Sequence, residues 1–147
     1  MIVYFDTSAL VKRYIEEAGT REVNALFEDE NAILGSVIIT QVEMAAVLQK
    51  AIHLGNASEA LLPEIWQDFL DDWGSFTRIQ VSTVTVERAS QISFAYKLRG
   101  YDALHLAAAL LWQERLNLPV TLATFDRDLW LASREAGMSV WPEELAA

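Results

Sequence analysis

The chain has 147 residues, 52% of them hydrophobic, which predicts a single folded domain over residues 1–147 with a sizeable core and excludes intrinsic disorder. It has no cysteine and two histidines, which excludes disulfides and thiol catalysis and leaves too few ligands for a Cys/His zinc site. A net charge of −10 counts against broad, non-specific binding of nucleic acid, but not against a small acidic site whose charge divalent cations offset.

The run Ile2-Val3-Tyr4-Phe5 is strand-favouring and delivers Asp6 to its end. Hydroxyl residues follow, and Ser8 to Tyr14 reads as a short helix with Lys12 and Arg13 near its C-terminal end. Gly19-Thr20 interrupts the pattern before a second helix carrying Val23, Leu26 and Phe27 at helical spacing. Residues 32–39 read as the second strand and its exit. Thr40 then caps a helix to about His53 whose apolar stripe is Met44, Val47, Leu48 and Ala51. After Gly55-Asn56, the spacing of Leu62, Ile65, Trp66, Phe69 and Leu70 predicts a helix between Ser58 and Trp73, with Pro63 tolerated in its first turn.

Arg78 to Val81 is a short strand. Val86 to Leu98 is a helix with Val86, Ala89, Ile92 and Tyr96 inward and Gly100 as its C-terminal cap. Residues 103–116 are apolar almost all round, the pattern of a central buried helix. Pro119 introduces the strand Val120 to Thr124. Asp126 opens a helix to about Ala136 that Gly137 closes, and Ser139 to Trp141 forms an edge strand. The longest apolar run, Leu106 to Trp112, is too short to span a bilayer, and Met1 leads straight into a strand with no signal-peptide features. The expectation is a soluble, cytoplasmic protein with no membrane association. Strands alternating with helices predict an α/β three-layer sandwich with a central, mainly parallel sheet flanked by helices.

Placed on this frame, Asp6 ends the first strand, Glu43 lies in the first turn after the second, Asp102 starts the buried helix, and Asp126 follows a late strand with Asp128 two residues on. In a parallel sheet, strand C-termini and the helix N-termini after them share one edge, so acids from four segments converge there. Clustered carboxylates repel one another unless cations occupy the site, and hard oxygen ligands suit Mg²⁺ or Mn²⁺. Such ions support in-line displacement at a phosphodiester. Each acid alone also has a purely structural reading: Glu43 completes a Thr40…Glu43 capping box, Asp102 and Asp126 are helix N-caps, and Asp128 is a first-turn dipole residue. That reading is weakest for Asp6, because a carboxylate closing a buried strand is costly without a partner.

Residues 3–12 (Val3-Tyr4-Phe5-Asp6-Thr7-Ser8-Ala9-Leu10-Val11-Lys12), the Thr40…Glu43 helix start, Tyr101-Asp102-Ala103-Leu104-His105-Leu106-Ala107 and Ala123-Thr124-Phe125-Asp126 resemble the motifs of the PIN-domain ribonucleases, and most of all the VapC-type toxins of toxin–antitoxin pairs. The resemblance covers nearly the whole chain in order. It implies a PIN-like fold and an acidic quartet of Asp6, Glu43, Asp102 and Asp126 that holds Mg²⁺ or Mn²⁺ and cleaves RNA. Thr7 and Thr124 match hydroxyl positions beside the site, with Ser8 and Asp128 as further neighbours of the ligands. A cognate antitoxin protein and a homodimer are the implied partners.

Lys12, Arg13, Lys50 and Arg99 are the candidate phosphate contacts, with Lys50 two helical turns from Glu43. His105 shares a helix face with Asp102 and reads as a hydrogen-bonded core histidine. Trp66 and Phe69 are candidates for a dimer or antitoxin surface. Two other functions compete: an Mg²⁺-dependent phosphotransferase or phosphatase with Asp6 as nucleophile, and a non-catalytic interaction module whose acids are caps. The first lacks its usual second aspartate, since Ser8 holds that place.

Overall fold

Alternating strand and helix signals resolve into five strands and seven helices in the computed structural model, which describes residues 1–146. In chain order these are β1 (Ile2–Phe5), α1 (Thr7–Leu10) with a 3-10 turn at Val11–Arg13, α2 (Thr20–Glu28), β2 (Ile33–Val37) and α3 (Thr40–His53). A 3-10 turn at Glu59–Leu61 leads into α4 (Leu62–Trp73), followed by β3 (Thr77–Ile79), α5 (Thr83–Tyr96), α6 (Gly100–Leu116), β4 (Thr121–Ala123), α7 (Arg127–Glu135) and β5 (Ser139–Trp141). All strand pairs are parallel, in the order β3-β2-β1-β4-β5. The sheet is therefore wholly parallel rather than mainly so.

The alternation of side chains along β1 divides the core between the two faces. Tyr4 joins the layer built with Leu106, Leu122, Leu129 and Ile92, while Val3 and Phe5 join that of Leu10, Met44, Leu48, Phe69 and Trp73. Both faces are covered, which gives the expected three layers. The buried helix α6 approaches β2 closely at Gly35, where a β-carbon would stand 2.7 Å from the Trp112 ring and 2.9 Å from the Thr77 carbonyl. No larger residue fits there without moving the helix.

Local chemistry corrects four expectations. Thr40 is not a side-chain cap: the N-cap of α3 is Ile39, and the Thr40 hydroxyl lies 2.7 Å from Ser36 Oγ, which donates to Phe5 O. Helix α5 starts at Thr83, because Ser82 and Thr85 form a capping box, and this leaves Val86 half exposed rather than inward. Gly100 opens α6 instead of closing α5, whose C-cap is Lys97 in the left-handed region at φ 56°. Phe69 is buried in the core and offers no docking surface.

Candidate active site

The strand order reverses between β1 and β4, because β2 and β3 extend the sheet to one side of β1 and β4 and β5 to the other. A crevice opens at such a switch point, at the carboxyl ends of the strands. Asp6 follows β1 and Asp126 follows β4, so these two acids flank that crevice.

Asp6 is 4% exposed and its carboxylate is fully engaged. Oδ1 accepts from Ala9 N (3.0 Å) and Ser8 Oγ (2.8 Å), and Oδ2 accepts from Thr124 Oγ1 (2.6 Å) and Ser8 Oγ (2.9 Å). The bond to Ala9 makes Asp6 the N-cap of α1. Ser8 and Thr124 are tied in turn to the β4 exit, since Ser8 Oγ accepts from Phe125 N and Thr124 Oγ1 accepts from Asp126 N. Burial pushes the Asp6 carboxyl above its ordinary range, against the lowering pull of these hydrogen bonds.

Glu43 points its Oε1 at His105 Nε2, 2.8 Å away, and His105 Nδ1 lies 2.7 Å from the Tyr4 hydroxyl. The capping-box reading of Glu43 therefore fails. Its carboxylate turns inward to the buried helix instead of back to its own backbone. His105 is the buried, hydrogen-bonded histidine expected, and also the link between Glu43 and the sheet. The signal was available in the sequence: Tyr4 is the one hydroxyl in an otherwise apolar strand, and His105 the one polar group in the middle of an apolar helix.

Asp102 and Asp126 form the remaining corner. Arg99 bridges them, with Nε 3.3 Å from Asp102 Oδ2 and Nη2 3.4 Å from Asp126 Oδ2. The Asp102 carboxyl is pushed upward, by burial first and by the neighbouring Asp126 charge second. Asp126 also caps α7 by accepting from Leu129 N at 3.0 Å. Asp128 is exposed in the first turn of that helix, so Asp126 is the acid beside Asp102.

The other candidates divide by where their polar groups go. The Thr7 hydroxyl is buried with no hydrogen-bond partner, and Ser8 takes the role beside Asp6. Lys12 donates to Ala18 O and Glu17, and Arg13 to Asp72 and Asn24 with its guanidinium over the Phe27 ring. Lys50 is exposed on α3. Of the four cations proposed for phosphate, Arg99 is the one in contact with the acids. A cavity of about 860 Å³ opens beside it, lined by Glu43, Asp102 and Arg99 and walled by Val86, Phe94 and Tyr101.

Whether these residues suit a divalent cation turns on donor chemistry and charge. Among the described residues, no three Asp, Glu, His or Cys side chains are grouped closely enough to cage an ion. Mg²⁺ does not need such a cage, because it keeps several waters and uses one or two carboxylates plus substrate oxygens. Asp102 and Asp126 already share a cation in the Arg99 guanidinium, and burial pushes both Asp6 and Asp102 upward. The donor set fits Mg²⁺ or Mn²⁺.

A wholly parallel α/β sandwich with Asp6 and Asp126 at the exits of its two switch-point strands defines the class. Residues 3–134 match the PIN domain model, and the chain belongs to the PIN-domain family. It is 32% identical over 145 residues to Ribonuclease VapC45 of Mycobacterium tuberculosis (strain CDC 1551 / Oshkosh), covering 98% of this chain and 97% of that one. Ribonuclease VapC49 of strain ATCC 25618 / H37Rv matches to the same extent. Among solved structures, the toxin–antitoxin complex from Klebsiella pneumoniae aligns with TM-score 0.66 at 23% identity, over 98% of this chain and 99% of that one. VapBC2 from Rickettsia felis, bound to a DNA fragment from their promoter, aligns with TM-score 0.64 at 15% identity over the full length of both chains. At these identities the structures speak for the fold.

Proposed function

We propose that this chain is an Mg²⁺- or Mn²⁺-dependent endoribonuclease and the toxin of a VapC-type toxin–antitoxin pair. The reading is supported by the positions of Asp6 and Asp126 at the ends of β1 and β4 and of Glu43 and Asp102 in the first turns of α3 and α6, since strand C-termini and helix N-termini of a parallel sheet share one edge. Two relatives named as VapC ribonucleases, aligned over nearly the whole chain, supply the reaction class.

When bound, a divalent cation supplies charge neutralisation at a phosphodiester and a lowered pKa for attacking water. Asp6, Glu43, Asp102 and Asp126 are the residues that would hold it. Ser8 and Thr124 fix the Asp6 carboxylate by donating to it, so Asp6 needs no rearrangement to serve as a ligand. Arg99, with 79% of its side chain exposed, is placed to leave the acids and meet a substrate phosphate. The cavity walled by Phe94 and Tyr101 gives RNA bases, or an inserted antitoxin segment, an apolar surface beside the acids. A homodimer is part of the same reading and rests on the family resemblance.

One arrangement counts against the phosphotransferase alternative. Ser8 stands where that chemistry would need its second aspartate, and its hydroxyl donates to both Asp6 oxygens at 2.8 and 2.9 Å. The test is incubation of the purified protein with total RNA. Cleavage should appear with Mn²⁺, vanish with a chelator, and fall by about 100-fold or more in Asp6→Asn, since loss of a direct ligand exceeds the usual effect of a group behind one. Full cleavage by Asp6→Asn, or cleavage indifferent to the chelator, would overturn the proposal.

A further inference from the structure

Three groups behind the acids form a directional chain. Val37 N donates to Tyr4 Oη at 3.3 Å, Tyr4 Oη lies 2.7 Å from His105 Nδ1, and His105 Nε2 lies 2.8 Å from Glu43 Oε1. Tyr4 is wholly buried and His105 is 3% exposed, so no solvent competes for these bonds.

Donor and acceptor counts assign the hydrogens. An ionised carboxylate offers only lone pairs, so Nε2 must carry the hydrogen that meets Glu43. A neutral imidazole then presents a lone pair at Nδ1, and the Tyr4 hydroxyl fills it. The Val37 N–H on the Tyr4 oxygen points the hydroxyl hydrogen away from β2 and toward the ring.

We propose that Tyr4 and His105 are positioning residues: the Tyr4 hydroxyl selects the Nε2–H form of His105, and that N–H anchors Glu43 Oε1 so that Oε2 is presented to the cation. The inference rests on the metal-dependent reading above. It makes β1 the organiser of two corners at once, placing Asp6 directly at its end and Glu43 indirectly through Tyr4. Groups that orient a ligand in this way govern its affinity without touching the ion.

The test uses the full chain, Mn²⁺ titrated by calorimetry, and the side-chain ¹⁵N shifts of His105, with thermal melting as the check on folding. Wild type should show the Nε2–H form. Tyr4→Phe, which deletes a single hydroxyl, should lose that preference and weaken Mn²⁺ by about 10-fold, and His105→Leu should weaken it by about 100-fold. His105→Gln, which keeps a donor and an acceptor, should recover most of the loss. In a Glu43→Gln background, Tyr4→Phe should have no further effect. If His105→Leu does not fold, Tyr4→Phe decides. Unchanged Mn²⁺ affinity in folded Tyr4→Phe, or an Nδ1–H form in wild type, overturns the positioning role alone. A wild type that keeps the Nε2–H form yet binds no Mn²⁺ overturns the metal reading and the role with it.

Discussion

The two ends of the acidic cluster are built on opposite principles. Asp6 is enclosed and held by four hydrogen bonds from Ser8, Ala9 and Thr124. Asp102 lines the cavity, and one exposed guanidinium at 3.3 and 3.4 Å draws it and Asp126 together. Folding fixes the first end, because its donors are the backbone and Ser8 hydroxyl of the same turn and the Thr124 hydroxyl at the neighbouring β4 exit. Charge holds the second, so its geometry follows whichever cation is present. On the proposed reading, an ion and then a charged substrate enter this site, and the two ends supply a rigid reference ligand and an adaptable partner pair.

Stability measurements should expose the contrast. Asp6→Ala removes the cap of α1 and the acceptor of the Ser8 and Thr124 hydroxyls, a loss offset in part by relief of a buried charge. A net destabilisation of about 2 kcal/mol is expected in urea unfolding. Asp102→Ala, at the adaptable end, should cost well under half of that. Equal losses would erase the distinction. Thr124→Val is milder, deleting the 2.6 Å donor to Asp6 and the acceptor of Asp126 N. It should cost about 1–2 kcal/mol and push the Asp6 carboxyl further upward, weakening Mn²⁺.

Much of this was legible in the residues. Strand-ending Asp6 and the apolar run of α6 placed the sheet, its central strand and the helix against it, because both signals come from long-range burial. The corners were harder. Asp6 had the weakest purely structural reading and is a helix cap, while Glu43 read as half of a capping box and is not one. Spacing alone cannot say whether a carboxylate three residues into a helix turns back to its own backbone or across to a neighbour. A tertiary partner, His105, decides it. The bridging role of Arg99 was equally hidden, since it joins α6 to the β4 exit across 27 residues. Lys12 and Arg13 read as candidate phosphate contacts because their partners, the Ala18 carbonyl and Asp72, lie in segments with no motif of their own.

A pH titration sharpens the comparison from the adaptable end. The folded Asp102 carboxyl sits above the ordinary aspartate value of 3.8, so the folded chain binds that proton more tightly than the unfolded chain. Its contribution to stability is then intact below that value and falls as pH rises toward the folded one. Asp102→Asn removes the penalty. The metal-free variant should melt higher than wild type at neutral pH, and the gap should close in acid. Saturating Mn²⁺ should reverse the order, since a ligand at 100 times its Kd adds about 2.7 kcal/mol to the protein that binds it. A constant gap from acid to neutral pH would mean that Asp102 carries no such strain.

The smallest effect on stability should come from Arg99→Gln. The guanidinium is 79% exposed and its two contacts are long, so its loss should change unfolding stability by less than about 1 kcal/mol. Its effect on cation binding should nonetheless be measurable and opposite in sign to that of every other change at the site. Arg99 neutralises the same two carboxylates that a divalent ion would use, so removing it removes a competitor. Mn²⁺ affinity should rise a few-fold in Arg99→Gln, most clearly at low salt where exposed charges are least screened. With RNA the sign should invert, because the same side chain then meets phosphate, and KM should increase. Weaker Mn²⁺ binding in Arg99→Gln would show that the guanidinium organises Asp102 and Asp126 for the ion instead of standing in for it, and the second end of the cluster would then be as preset as the first.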